Sequence, residues 1–225
     1  MPTARPSRKP AEDRRREIAD AALRVISAGG LGRFTSLAIA REVGVTDAAL
    51  FRHFPSKDAI VDAAIDRVEE LLFEGFPPQA DDPVDRLGAF FRRRIAVIRG
   101  YPGITSLVAT DELAKAGSPR GMERVAEFRQ RSTGFIRACL AEAERKGRLA
   151  PGLGAEEAAV VVLGALLALA HSTYAPRFGP VARIAPRVWA ALETFLRGPL
   201  AARPQSAGRR PPRRPGRQAR RGVQT

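Results

Sequence analysis

The stretch Thr35–Lys57, TSLAIAREVGVTDAALFRHFPSK, constrains the fold more than any other part of the chain. It reads as two short helices joined by a tight turn. The first is expected over Ser36–Val43, with Leu37, Ala40 and Val43 on one face at helical spacing and Ile39 beside them. Gly44 ends it, because a residue without Cβ enters the left-handed region at no steric cost. Thr46 then caps a second helix, Asp47–Arg52, its hydroxyl placed to accept from a free backbone N–H. Leu50 points back at the first helix opposite Ala40, which must be small where the two helices cross. Ala40, Gly44 and Leu50 lie four and then six residues apart, and this spacing makes the second helix project from the body.

A projecting helix of this kind can enter a major groove. A bare helix–glycine–helix corner is also a common packing unit, so the residues around it decide. Arg33, Arg41, Arg52, His53 and Lys57 flank the second helix. Thr35 and Ser56 stand at helix starts, where hydroxyls and free N–H groups suit phosphate. Thr46, Asp47 and Ala49 open the second helix and are expected nearest to base edges.

The segment from about Glu12 to Leu72 resembles the N-terminal domain of the TetR family of bacterial transcription regulators. The landmarks are Thr35, Ile39-Ala40, Gly44-Val45, Thr46, Leu50-Phe51, His53-Phe54 and Ser56-Lys57. Two positions depart from the family pattern. Ala48 stands where Gly is common, which favours helix. Phe51 stands where Tyr is common, which removes a hydroxyl that often reaches a phosphate in the family. The resemblance implies a dimeric repressor on double-stranded DNA with a palindromic operator, and a body that receives a small-molecule effector. It implies DNA contacts from Arg33, Thr35, Arg41, Thr46, Asp47, Ala48, Ala49, Phe51, Arg52, His53 and Lys57. Within the family, VTDAALFRHFPSK is locally similar to the nucleoid-occlusion factors, DNA-bound adaptors that recruit a protein. That adaptor role is the alternative reading.

Helical periodicity continues along the chain, and no stretch alternates as a strand would, so the fold class is all-α. The first helix is expected over about Glu12–Ala28, stopped by Gly29-Gly30. Ile18, Leu23, Val25, Phe34, Leu50 and Phe54 are expected to build the core of the head. Ser56 caps a connecting helix reaching about Phe73, with Ile60, Ala64, Val68 and Leu71 inward. GFPPQADDP, residues 75–83, is the clearest internal boundary. Further helices are expected near Val84–Arg99, Gly103–Lys115, Pro119–Arg148, Ala155–Tyr174 and Ile184–Arg197. The divisions are a basic arm (1–11), the helix-turn-helix domain (12–55), the connecting helix (56–75), the ligand-binding and dimerisation body (76–197) and an Arg/Pro-rich tail (198–225).

The net charge of +14 over 225 residues is concentrated in the two arms. Residues 1–16 hold six Lys or Arg against Glu12 and Asp13, and residues 198–225 hold eight Arg and no acid. Both arms are rich in proline and poor in residues able to pack, so both are expected to be disordered. Each reads either as a solvated extension or as a flexible cationic contact to phosphates.

In the body, Ala155–Tyr174 is apolar nearly all round, as in a helix covered on both sides. Gly164, Leu167, Val188, Leu192 and Phe195 are expected at a dimer interface, which the resemblance places on the last two main helices. Phe90, Phe91, Ile95, Leu107, Phe128, Phe135 and Leu166 are candidate lining for an effector pocket, with His171 as a polar contact. The same stripes would equally serve as plain core. Arg92-Arg93-Arg94 reads as an anion attractor or, more simply, as a solvated face. Asp111-Glu112 reads as a surface acidic pair.

No activated nucleophile, paired acid and base, glycine-rich phosphate loop or metal-ligand spacing is visible, so the chain reads as a non-enzyme without cofactor. Cys139 stands alone and cannot form an internal disulfide. The N-terminus lacks a secretory pattern, and the apolar run Ala158–Ala170 is too short to span a bilayer. The expected location is the bacterial cytoplasm, on the nucleoid when DNA-bound, with no membrane partner.

Overall fold

The computed structural model describes residues 11–101, 117–170 and 179–198. The expected helix near Gly103–Lys115, the candidate pocket residues Leu107 and His171, the pair Asp111-Glu112 and, of the two arms, residues 1–10 and 199–225 lie outside the described residues, whereas Ala11 opens the first helix. Eight α-helices and no strand occur among those described. They are α1 (Ala11–Gly29), α2 (Ser36–Val43), α3 (Asp47–Phe51), α4 (Lys57–Phe73), α5 (Pro83–Gly100), α6 (Pro119–Arg145), α7 (Ala155–Ala170) and α8 (Val181–Arg197).

Local chemistry sets the ends of these helices. Thr35, Thr46 and Ser56 each accept from a backbone N–H three residues on, at 3.1 Å in every case. Asp82 caps α5 through the N–H groups of Val84 and Asp85, at 2.9 and 3.1 Å, and Pro83 follows at a position that needs no N–H. Helix α6 stops three residues before the expected end, where the Arg148 N–H turns back to the Ala143 carbonyl at 2.8 Å. Helix α8 starts earlier than expected, at Val181.

Two cores result. The first joins Ile18, Leu23 and Ile26 of α1 to Phe34, Ile39, Leu50, Phe54 and the inner face of α4. It continues into the body through Val97, Val125 and Phe128. Val25 and Leu71, expected inside, are half-buried at its edge. The second core lies among α5, α6, α7 and α8, and includes Phe91, Ile136, Val162, Trp189 and Leu196. Helices α5 and α8 approach closely at Gly88, where an added Cβ would lie 2.6 Å from Trp189 Cζ2.

Ion pairs tie head to body. Arg124 of α6 pairs with Asp66 and, at 2.8 Å, with Glu69 of α4, and Arg131 reaches Glu69 at 2.9 Å. Arg67 joins α4 to Asp20 of α1 at 2.8 Å. At the far end of the body, Arg197 donates to Asp82 and Asp85, clasping the end of α8 to the start of α5.

Candidate nucleic-acid interface

The turn between α2 and α3 forms as its residues dictate. Gly44 has φ 74° and ψ 36°, and the Val45 N–H closes on the Ala40 carbonyl at 2.9 Å. Leu50 is fully buried and Ala40 is 1% exposed, so the inward side of the corner is fixed by packing. Leu37 departs from expectation: it is 51% exposed, and Ile39 takes the inward position with Ala40. On a helix of two turns, a small rotation decides which aliphatic residue points in.

The outward side of the corner gathers the expected polar set. Arg33, Thr35, Arg41, Thr46, Ala48, Arg52 and Lys57 are exposed, while Asp47, Ala49 and His53 are half-buried. Phe51, at the end of α3, is 40% exposed, an apolar ring left on a cationic surface. Lys57 is the first residue of α4, with Nζ 5.3 Å from the Phe34 ring centre. Arg15 supports the assembly from α1: its guanidinium covers the Phe54 ring at 4.6 Å and donates to the His53 carbonyl at 3.2 Å. Sequence reading missed Arg15, because only the folded head brings α1 against the segment after α3. The Thr35 and Thr46 hydroxyls accept within their own caps, and each keeps its O–H to donate. The surface thus offers cations and hydroxyl donors around a short helix whose N-terminal residues face outward. That is the chemistry of phosphate positioning with a few side chains left for base edges.

Comparison with known proteins agrees with this geometry. The family model described as "Bacterial regulatory proteins, tetR family" matches residues 18–64. The nucleoid occlusion factor SlmA of Vibrio vulnificus (strain YJ016) is 31% identical over 144 residues, which cover 62% of this chain and 73% of that protein. The chain belongs to the TetR family. Two solved structures share its fold. The TetR family regulator PfmR from Thermus thermophilus has a TM-score of 0.66 at 20% identity, covering 88% of this chain and 98% of that one. AibR in complex with isovaleryl coenzyme A and operator DNA has a TM-score of 0.66 at 19% identity, covering 82% and 98%. This TetR-family protein is a DNA-binding transcription regulator. Family and fold are those of regulators, not of enzymes. No described helix is long and apolar enough to cross a membrane.

In the body of this TetR-family regulator, the candidate pocket residues divide. Phe90, Phe128 and Leu166 line a cavity of about 330 Å³ between α5, α6 and α7, roofed at one side by Leu72 of α4. Phe91 instead packs on Trp189, with ring centres 5.2 Å apart, and Ile95 sits with it in the second core. Phe135 meets Phe76 edge-on and Phe90 at a tilt, with ring centres 5.0 Å apart in each pair. The run Arg92-Arg93-Arg94 also divides. Arg92 and Arg93 are exposed, but Arg94 is 6% exposed and lines the cavity, so the expectation of a solvated face fails at this residue. Arg94 Nη1 donates to the Leu72 carbonyl and Nη2 to Ser132 Oγ, both at 2.9 Å. Its guanidinium covers the rings of Phe73 and Phe90 at 4.5 and 4.6 Å. Burial, reinforced by the cations Arg131 and Arg93, pulls its pKa down to about 10.

The candidate dimer residues divide as well. Val160, Val161, Gly164, Leu167 and Ala168 form an exposed stripe on α7, and Ala191 and Phe195 are exposed on α8. Val188 is half-buried. Leu192 is 7% exposed and belongs to the second core, so its first task is to hold the subunit together. Cys139 is buried, and burial pushes its thiol up to about 11, which removes it from thiolate chemistry at neutral pH.

Proposed function

We propose that the protein is an effector-responsive repressor that acts in the cytoplasm as a two-fold dimer on a palindromic operator. The observation that carries the effector part is the cavity between α5, α6 and α7, because its wall includes Leu72, in the last turn of the connecting helix. A ligand seated there touches the helix whose other end carries Lys57, at the edge of the outward cationic set. A tilt of α4 would change the separation of two recognition helices that must meet successive major grooves. The ligand then lowers DNA affinity by favouring the wrong spacing.

Dimerisation is supported by the exposed apolar stripes of α7 and α8. Val160 is 72% exposed, Val161 42%, Leu167 39% and Phe195 42%, a concentration of apolar surface that a partner copy would cover. Exposed Gly164 and Ala168 would let helix backbones approach closely. The DNA contacts are those of the outward set, with Thr46, Asp47, Ala48 and Ala49 toward bases. Arg33, Thr35, Arg41, Phe51, Arg52, His53 and Lys57 face the backbone.

The SlmA relative supports a second reading, a DNA-bound adaptor whose body holds a protein partner. The lined cavity favours the effector reading over this one. Selection of duplexes from a random pool by the full-length protein, followed by a small-molecule screen for release, separates the two. The expected result is an inverted repeat bound by two chains and released by at least one compound class. Enrichment of sites without two-fold symmetry would refute the dimer. A complex that no compound releases, and that binds a protein through the body, would replace the effector reading with the adaptor.

A further inference from the structure

Arg94 stands apart from its neighbours in how its charge is met. Arg93 pairs with Glu74 and Arg131 with Glu69. Among the described residues, Arg94 makes no ion pair. It is nevertheless the one charged residue in the buried set of that region. Its two hydrogen bonds go to neutral oxygens, the Leu72 carbonyl and the Ser132 hydroxyl. A guanidinium has five N–H donors, so the described contacts leave capacity for a bidentate acceptor. Keeping a cation buried against neutral groups is costly, and a carboxylate at the fork of the guanidinium would offset that cost. The rest of the wall is mostly apolar, with Ile136, Leu163, Leu166 and Ala170 among its residues, and it also holds Thr133 and a second, half-buried arginine, Arg129.

We propose that the cavity takes a medium-chain monocarboxylate, its charged end on Arg94 and its tail among Ile136, Leu163 and Leu166. This rests on the effector reading of the same cavity and gives that effector a chemical class. Arg94, the arginine of the wall that is buried, calls for one negative charge, and the apolar residues call for an aliphatic tail. The site also supplies its own route to the head. Arg94 is bonded to a carbonyl in the last turn of α4, where a helix leaves its carbonyls without internal partners. A carboxylate that takes the spare donors draws the guanidinium toward itself, lengthens that bond and loosens the tie at the end of the connecting helix.

The test is calorimetric titration of the full-length protein with octanoate, 1-octanol and octylammonium, which share a tail and differ in charge. Octanoate should bind about tenfold or more tighter than octanol, the worth of a charge-assisted hydrogen bond, and octylammonium should not bind. In Arg94→Met the two should bind within about twofold of each other, whereas Arg94→Lys should retain most of the preference. Octanol binding as tightly as octanoate to the unmodified protein would overturn the proposal and needs no variant to fold. A carboxylate preference that survives in Arg94→Met would overturn it too. Octanol that binds and releases DNA without any carboxylate preference would leave the effector reading standing while removing this one. Failure of all three probes to bind would overturn the carboxylate proposal, and the release screen would then decide the effector reading separately.

Discussion

Replacing Lys57 by alanine should weaken DNA binding by an amount that depends on salt in a calculable way. Lys57 opens α4 at the edge of the outward cationic set, and its nearest described intramolecular partner is the Phe34 ring at 5.3 Å. That contact is worth about 0.5–1 kcal/mol at an exposed site, so the head should stay folded without it. Each phosphate contact contributes about 0.9 to the slope of log affinity against log salt. A dimer presents the residue twice, so the variant should lose about 1.8 from the slope. Between about 50 and 200 mM salt, the unmodified protein should therefore lose about twelvefold more affinity than the variant does. Fluorescence anisotropy with the selected operator and with an unrelated duplex, across a salt series, measures both slopes. The loss should be equal on the two duplexes, because a phosphate contact carries no sequence information. An unchanged slope with unchanged thermal stability would refute the docking. So would a loss confined to the operator.

Three other outcomes follow from particular contacts. Gly88→Ala places a Cβ 2.6 Å from the Trp189 ring and should destabilise the body by about 1–3 kcal/mol in urea unfolding, with Trp189 fluorescence as the probe. Phe195→Glu should yield folded monomers in sedimentation, whereas Leu192→Glu, which buries a charge in the second core, should lose helical circular dichroism as well. Burial works against the charge of Asp82, but hydrogen bonds from Arg197 and from the Asp85 and Val84 amides outweigh it and hold its pKa below the ordinary 3.8. The contribution of this carboxylate to stability is then complete above 3.8 and is lost as pH falls through the lower folded value. Asp82→Asn should flatten the acid limb of a stability-against-pH curve.

The head was legible because its determinants are local. Thr35, Gly44, Thr46 and Ser56 each act within a few residues, so their roles follow from spacing alone. Leu37 was misread because α2 is only two turns long, and its inward side is settled by contact with α1 and α3. The body was legible as helices but not as surfaces. Trp189, Leu192 and Leu196 lie on one side of α8 and Ala191 and Phe195 on the other, and all are apolar, so periodicity alone cannot say which side meets the subunit's own core. The burial of Arg94 had a trace in the sequence. It lies four residues after Phe90 and one before Ile95, on the apolar side of α5, whereas Arg92 and Arg93 do not. A run of three like charges hid that register.

The head and body share one continuous core, and this determines what can be exchanged between regulators. A head cut after residue 55 would leave Leu50 and Phe54 without Ile60 and Ala64, and would expose the side of α4 that faces α1. The transplantable module is longer. It includes α4, together with counterparts of Val97, Val125 and Phe128 in the receiving body and of the cations Arg124 and Arg131 that pair with Asp66 and Glu69. Chimeras joined near residue 75 that keep those partners should read the donor's operator under the recipient's control. Chimeras joined at residue 55 should aggregate.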